Sequence, residues 1–443
     1  TKLLSTMKIS VIGLGYLGAT HAVAMASLGH EVIGIEPDSI RTAQLKAGIT
    51  PFHEPGLQQA LDKVLAAGNI SFQCQHDDQS AAADIHFICV GTPQAADKSA
   101  DTSFVFAAAA ELAKVLKPAS LVVGKSTVPV GVARKLISQM AAISGFEPKL
   151  CWNPEFLREG TALEDSLHPD RIVVGSNNHQ DTVALRVCYK PMLDSGTPLV
   201  EVDLETSELV KVSANAFLAT KISFINAMAE IAEASGADAV KLAEAIGMDN
   251  RIGSKFLRTG IGFGGGCLPK DIRGFIARAD ELGVGSSLDF LKDVDAINLR
   301  RRQRVIDLAT QELKDLRGKK ITMLGISFKP DSDDLRDSPA LEIAVRLKEL
   351  GAAVCCHDPI SLDALHSIEP DLKTEADIGN AIADADLVIL GTEWSDYRKL
   401  QPAAFTAAPK TKTIIDGRNV LDVDLWQAAG WKVIALGRNI QNA

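Results

Sequence analysis

Long runs of any one residue class are missing from this chain. In 443 residues no apolar stretch reaches the length of a membrane span, so no membrane role is expected. Basic blocks are scarce too. Lys and Arg number 46 against 56 Asp and Glu, a formal net charge of −10, and the one cationic block is Arg300-Arg301-Arg302. Nucleic acid is therefore not an expected partner. The arginine triplet lies in a helical pattern and reads as a solvated face, with a surface meeting a second subunit as the alternative. Seven cysteines, at 74, 89, 151, 188, 267, 355 and 356, are odd in number and lack metal-ligand spacing. This predicts no metal centre and a reducing, cytoplasmic setting. The residues before Met7 carry no signal-peptide pattern and read as a short extension. What remains is a chain 46% hydrophobic, fit for two to three soluble globular domains.

The N-terminal end is rich in glycine at useful places. Lys8–Ile12 is a short apolar run with β-branched residues, followed by Gly13-Leu14-Gly15-Tyr16-Leu17-Gly18 and then a helical pattern. Gly13 permits a tight turn, Gly15 lets backbone approach a pyrophosphate, and Gly18 lets helix and strand pack closely. A second strand, Glu31–Ile35, ends in Glu36, an acid placed to accept hydrogen bonds from ribose hydroxyls and to repel a 2′-phosphate. NAD is the cofactor this predicts.

Strands then alternate with helices. Apolar runs at Ile85–Val90, Leu121–Gly124 and Leu150–Trp152 each end in a polar or Gly/Pro-rich loop: Gly91-Thr92-Pro93, Lys125-Ser126-Thr127-Val128-Pro129 and Asn153-Pro154-Glu155-Phe156. In a parallel sheet these loops share the carboxyl edge where ligands bind. Glu155 and Glu159 would share a face if their stretch is helical. Helical patterns at 206–236, 238–246 and 287–316 predict a helical middle region, with Lys211 and Asn215 one turn apart on the longest helix. From Lys319 the strand–loop–helix–strand order of residues 8–38 repeats, with Lys329 and Arg336 where the glycine loop stood. That echo predicts a second Rossmann-like domain for a different phosphate ligand, such as a nucleotide-sugar diphosphate. Arg418, in the Asp416-Gly417-Arg418 turn, is a further candidate contact.

One cysteine stands apart. In Gly260–Asp271 (GIGFGGGCLPKD), three glycines precede Cys267, and Pro269 suits the first turn of a helix starting beside the sulfur. A helix N-terminus and the nearby Lys270 favour the thiolate, so Cys267 is a candidate nucleophile.

Taken in order, GLGYLG, HEPGL (53–57), VGTP (90–93), KSTVPVG (125–131), NPEFLREG (153–160), the Lys211/Asn215 helix, GFGGGCLPKD (262–271), FKPDSDDLRDSP (328–339) and DGRN (416–419) resemble one family. It is that of the NAD-dependent UDP-glucose and GDP-mannose dehydrogenases, which oxidise a nucleotide sugar's C6 alcohol to a carboxylate. The match spans nearly the whole chain. It implies an α/β fold of two Rossmann-like doubly wound domains joined by a long central helix through which subunits dimerise, with the active site between the domains. The divisions expected are 7–203 for NAD, 204–316 for the helical centre and cysteine loop, and 317–443 for the nucleotide sugar.

By position, the resemblance implies Cys267 as nucleophile, Lys211 and Asp271 as its electrostatic and acid/base partners, Thr127 and Glu155 around the hydrolytic water, and Asn215 near the reacting oxygen. Phe156, Leu157, Arg158 and Glu159 would form the sugar-side wall. Gly264, Phe328, Lys329 and Arg418 match substrate contacts, and Arg251 resembles an arginine that reaches the neighbouring subunit's substrate. Thr92, Lys125, Thr127 and Arg336 match NAD contacts beside Gly13, Gly15, Tyr16, Leu17, Gly18 and Glu36. Two departures stand out: Glu36 where aspartate is usual, and Gly266 where serine is common. Residues 167–175 (LHPDRIVVG) resemble the UDP-glucose subgroup, so UDP-glucose is the expected substrate, with GDP-mannose as the alternative. A two-electron β-hydroxyacid dehydrogenase would share the Rossmann domain and the Lys/Asn pair, but would need neither Cys267 nor the second domain.

Overall fold

The computed structural model describes residues 6–405 and 409–440. Among these residues, short runs of aliphatic and β-branched side chains form fourteen strands. They are β1 (Lys8–Ile12), β2 (Glu31–Ile35), β3 (Ile70–Gln73), β4 (Ile85–Ile88), β5 (Leu121–Gly124), β6 (Lys149–Trp152), β7 (Ile172–Ser176), β8 (Leu199–Val202), β9 (Lys320–Leu324), β10 (Ala353–His357), β11 (Lys373–Thr374), β12 (Leu387–Leu390), β13 (Thr413–Asp416) and β14 (Lys432–Ala435). The central strands β4 and β12 are buried at every position, as expected where helices cover both faces of a sheet.

One sheet has the order β3-β2-β1-β4-β5-β6-β7-β8 and the other β11-β10-β9-β12-β13-β14. Neighbours are parallel except β6 and β7, where Cys151 pairs with Ser176 in antiparallel register. In both sheets the order reverses beside the first strand, opening a crevice at the strands' carboxyl ends. The helices that position functional groups are α1 (Tyr16–Ser27), α2 (Val132–Ser144), α3 (Leu204–Ser235), α4 (Leu268–Glu281), α5 (Asp289–Leu313) and α6 (Pro339–Glu349). The long helix expected over 206–236 thus runs through 32 residues.

The chain packs as two compact units. One comprises residues up to Ala214 with Arg273–Leu282; the other comprises Asn215–Ile272 with Gly283 onward. Helices α3 and α4 each contribute residues to both. Each sheet is held at its reversal point by the same device. In the first, Glu36 after β2 accepts from the Leu14 N–H in the glycine loop at 2.9 Å. In the second, Asp358 after β10 accepts from the Ile326 and Ser327 N–H groups at 2.8 and 3.1 Å. The acid at this position therefore serves the loop after the first strand in both domains.

The arginine triplet is not the solvated face that its helical pattern predicts. On α5, Arg300 is exposed, but Arg301 and Arg302 are buried. Arg301 pairs with Glu233 of α3 at 3.0 Å and reaches the Gly260 carbonyl. Arg302 pairs with Asp337 at 2.8 Å and with Glu342, and donates to the Phe263 carbonyl. Acids distant in sequence neutralise both charges and allow their burial. Among the described residues, no helix is long and apolar enough to cross a membrane, and no His/Cys/Asp/Glu cluster could hold a metal ion.

Candidate active site

The first unit carries a dinucleotide-shaped end. Gly13 takes a φ of 84°, open to glycine at little cost, and a side chain there would strike the Val90 backbone. A Cβ on Gly18 would overlap the Gly13 carbonyl, so the helix can close on the strand only with glycine there. Gly15 has open space where a Cβ would be. It is the N-cap of α1, with no side-chain cap and no acid in the first turn. The free N–H groups and dipole of α1 are thus left for an anion, and a dinucleotide pyrophosphate fits this opening. The second sheet offers no such opening, since the Ser338 hydroxyl already accepts from Leu341 N–H at the start of α6.

Around that loop, Gly15, Tyr16 and Leu17 stay partly accessible. The Tyr16 hydroxyl donates to Glu54, and the two groups together receive the Gly160 N–H at 3.1 and 2.8 Å. Glu54 also accepts from Ala162 N–H at 2.6 Å. Burial, followed by the Glu54 contact, pushes the Tyr16 phenol well above its usual range. A buried acid from the HEPGL motif thereby ties the glycine loop to the end of NPEFLREG. That motif was legible, but the role of Glu54 was not, because its partners lie 38 to 108 residues away. Glu36 is similarly occupied, by Leu14 N–H, Asp38 N–H and Arg41, the last at 3.2 Å.

The stretch 153–160 is not helical, so the shared face expected of Glu155 and Glu159 does not form. Side chains take the backbone donors that a helix would use. Glu155 accepts from Leu157 N–H at 2.6 Å, and Asp165 accepts from Arg158 N–H at 2.8 Å while also pairing with the Arg158 guanidinium. Glu155 instead meets Lys211 of α3, with Nζ 2.8 Å from its carboxylate and both side chains nearly buried. Burial alone would raise the Glu155 pKa, but Lys211, the Leu157 N–H and Lys125 reverse the sign and hold it below the usual value. Phe156 lies beneath Arg171, whose guanidinium stands 3.7 Å from the ring centroid, with the Lys211 ammonium 5.7 Å away. Leu157 and Glu159 are half-buried and Arg158 exposed. Lys125 points inward, donating to Asn153 Oδ1 at 3.0 Å, and burial lowers its pKa. Thr92 donates to the Thr127 carbonyl at 2.8 Å.

The second unit carries the cysteine. Cys267 is exposed and immediately precedes α4, the position anticipated for it. One turn on, buried Asp271 accepts from Asn215 Nδ2 and from Lys270 Nζ, each at 2.6 Å. A pre-helix thiol, a carboxylate and an ammonium thus share one helix start, and a carboxamide from α3 bonds to the carboxylate. The preceding glycines are shaped by residues 328–339. Gly264 lies against the Asp337 carbonyl, Gly265 against the Phe328 ring and Gly266 against the Arg336 guanidinium. Arg336 is held in bidentate fashion by Asp334.

Beside this loop is a cavity of about 880 Å³, lined in part by Phe256, Phe263, Phe328, Lys329, Arg258 and Arg418. Arg418 is not a surface turn residue. It donates to the carbonyls of Gly391, Gly262 and Phe328 at 2.8, 3.0 and 3.3 Å and pairs with Glu393. Burial lowers its pKa. Aromatic planes with several cations suit a base and a diphosphate. Arg251 is exposed and paired with Asp249.

The fold and the comparisons with known proteins identify an NAD-dependent oxidoreductase acting on nucleotide sugars. Models of the UDP-glucose/GDP-mannose dehydrogenase family match it in three parts: the NAD binding domain over residues 7–193, the central domain over 205–300 and the UDP binding domain over 322–423. The chain is 38% identical over 436 residues to the UDP-glucose 6-dehydrogenase YwqF of Bacillus subtilis, covering 98% of each chain. It is also 38% identical to the UDP-glucose 6-dehydrogenase of Rhizobium meliloti, over 98% of this chain and 100% of that one. A solved UDP-glucose dehydrogenase from the archaeon Pyrobaculum islandicum superposes with a TM-score of 0.90 at 36% identity, with 98% of both chains covered. The chain belongs to the UDP-glucose/GDP-mannose dehydrogenase family.

Proposed function

We propose that this enzyme converts UDP-glucose to UDP-glucuronate by a four-electron oxidation at C6 that passes through a thioester on Cys267. The observation that carries this reading is the exposed thiol at the start of α4 with Asp271, Asn215 and Lys270 bonded together one turn away. An alcohol oxidation that stopped at the aldehyde would have no use for such a nucleophile.

Bound NAD supplies the hydride acceptor in both oxidation steps. The protein residues do the rest. Lys211 and Asn215 stabilise negative charge on the sugar oxygen as each C–H bond is lost. After the first oxidation the Cys267 sulfur adds to the aldehyde carbon, giving a thiohemiacetal; loss of the second hydride from that carbon leaves the thioester. Thr127 holds the water that attacks the acyl carbon, Glu155 takes its proton, and the C–S bond breaks to return the Cys267 thiolate, with Asp271 the acid/base group one turn on. Lys211 keeps Glu155 in the carboxylate form that can accept a proton, while lowering its basicity. The cations around the large cavity, Lys329 and Arg418 among them, bind the diphosphate, and its aromatic rings receive the uracil. Residues 7–203 serve the cofactor, 204–316 the central helices and thiol loop, and 317–443 the nucleotide sugar.

Subunits associate through α3. Phe217, Phe224 and Ile231, spaced seven apart, are 67%, 49% and 59% exposed, an apolar stripe that a second copy would cover. The test of the reaction is NADH released per sugar, with UDP-glucose and GDP-mannose side by side. Two per UDP-glucose is expected, with little turnover of GDP-mannose; one per sugar would overturn the thioester route.

A further inference from the structure

The loop that carries Thr127 leads into a helix that cannot cap itself. Pro129 has no N–H, and the N-cap of α2 is Gly131, left-handed at φ 94° with no side chain to offer. The first donors of α2 therefore need an acceptor from elsewhere. Glu208, 2% exposed on α3, supplies both of its oxygens: Gly131 N–H donates to one at 2.6 Å and Ala133 N–H to the other at 2.7 Å. One turn earlier on α3, Glu205 pairs with Arg134, the next residue of α2.

The loop is gripped from a second helix as well. Arg278 of α4 donates through Nε to the Val130 carbonyl at 3.0 Å, and its guanidinium lies beside Gly131. Upstream, the Thr92 hydroxyl holds the Thr127 carbonyl. Glu208 precedes Lys211 by three residues on α3, and α4 is the helix that begins after Cys267. The two helices bearing the candidate catalytic groups are therefore the two that fix residues 130–133.

Burying a carboxylate here is unfavourable: desolvation pushes Glu208 up to about 7 despite the two N–H donors. A helix start needing only stability would be served by a serine or aspartate at its own N-cap. Glu208 does something a local cap cannot, which is to tie the loop to the helix that carries Lys211.

Building on the proposed thioester route, we propose that Glu208 is a positioning residue for thioester hydrolysis. With Arg278 it clamps residues 130–133, so that Thr127 holds the water in register with Lys211 and Glu155. It touches neither sugar nor cofactor. In the step it serves, a water oxygen bonds to the acyl carbon, the C–S bond breaks, and the water's proton passes to the base. No electrons leave the substrate in that step. The clamp therefore matters to release of product and not to the two oxidations before it.

Glu208→Gln keeps the size of the side chain but turns an amide N–H₂ toward one of the two N–H donors, so only one can remain bonded. At pH 8.5, rapid mixing of this variant with NAD and UDP-glucose is expected to give a fast burst approaching two NADH per active site. Steady turnover should then fall roughly 10–100-fold. Intact-mass analysis should find the sugar nucleotide covalently held on the enzyme, and kcat and KM should fall together, leaving kcat/KM for each substrate within about twofold of wild type, because only a step after both oxidations is slowed. Arg278→Met provides the second variant should Glu208→Gln fold poorly. It is expected to show the same burst, and the double variant to be no slower than the worse single one. A variant that slows without a burst or adduct, that loses kcat/KM as much as kcat, or that matches wild type would overturn the proposal. A wild-type enzyme yielding one NADH per sugar would instead overturn the thioester route beneath it.

Discussion

Gly264 and Gly266 look interchangeable as letters, yet their neighbours differ in kind. A Cβ on Gly264 would run into the Asp337 carbonyl and the Pro339 ring, which are backbone and ring atoms that cannot turn aside. A Cβ on Gly266 would meet only the far end of Arg336, a side chain that can swing away. Gly264→Ala is therefore expected to lower stability by about 1–3 kcal/mol, and Gly266→Ala by less than about 1 kcal/mol. Denaturant midpoints of the two variants check this, and equal losses would contradict it. The triplet pointed to close approach when read as sequence, but what approached it, residues 328–339, lay beyond any local pattern. Glu155 teaches the same lesson. The resemblance marked it as functional, but the face it would share with Glu159 in a helix does not form, and its ammonium partner stands 56 residues downstream.

Helices account for most of what local pattern could and could not reveal. The start of α4 was legible because Pro269 and the glycines before Cys267 are local signals. The burial of Arg301 and Arg302 was not, since charge run and period describe one helix and the neutralising acids sit on others. Helix α3 shows the reverse case. Its Phe217, Phe224 and Ile231 stripe is apolar, regular and exposed, which a lone chain has no reason to keep. Sedimentation velocity at micromolar protein is expected to give a dimer, and Phe224→Glu to shift it toward monomer. A wild-type protein that sediments as a monomer at tens of micromolar would count against the subunit contact; that range lies well above the dissociation constants of stable dimers.

For the whole molecule, the repeat of the first βαβ unit in the last third was readable from strand spacing and loop composition, while the doubly wound order of both sheets is what the family resemblance implied. The repeat went deeper than the letters suggested: Glu36 and Asp358 perform the same service for different loops. What separates the domains physically is the helix start. In the first, α1 opens on an uncapped glycine suited to a pyrophosphate; in the second, Ser338 caps α6 and the cations gather elsewhere. In the proposed function, that division lets one chain hold an oxidant and a nucleotide sugar.

The claim on which the account depends is that Cys267 carries the acyl group. Replacing Cys267 with serine and following UDP-glucose by quenched-flow product analysis with intact-mass detection tests it directly. A stall is predicted, with aldehyde or an enzyme-bound ester accumulating and free uronate nearly absent. Free uronate formed at the wild-type rate would contradict the account.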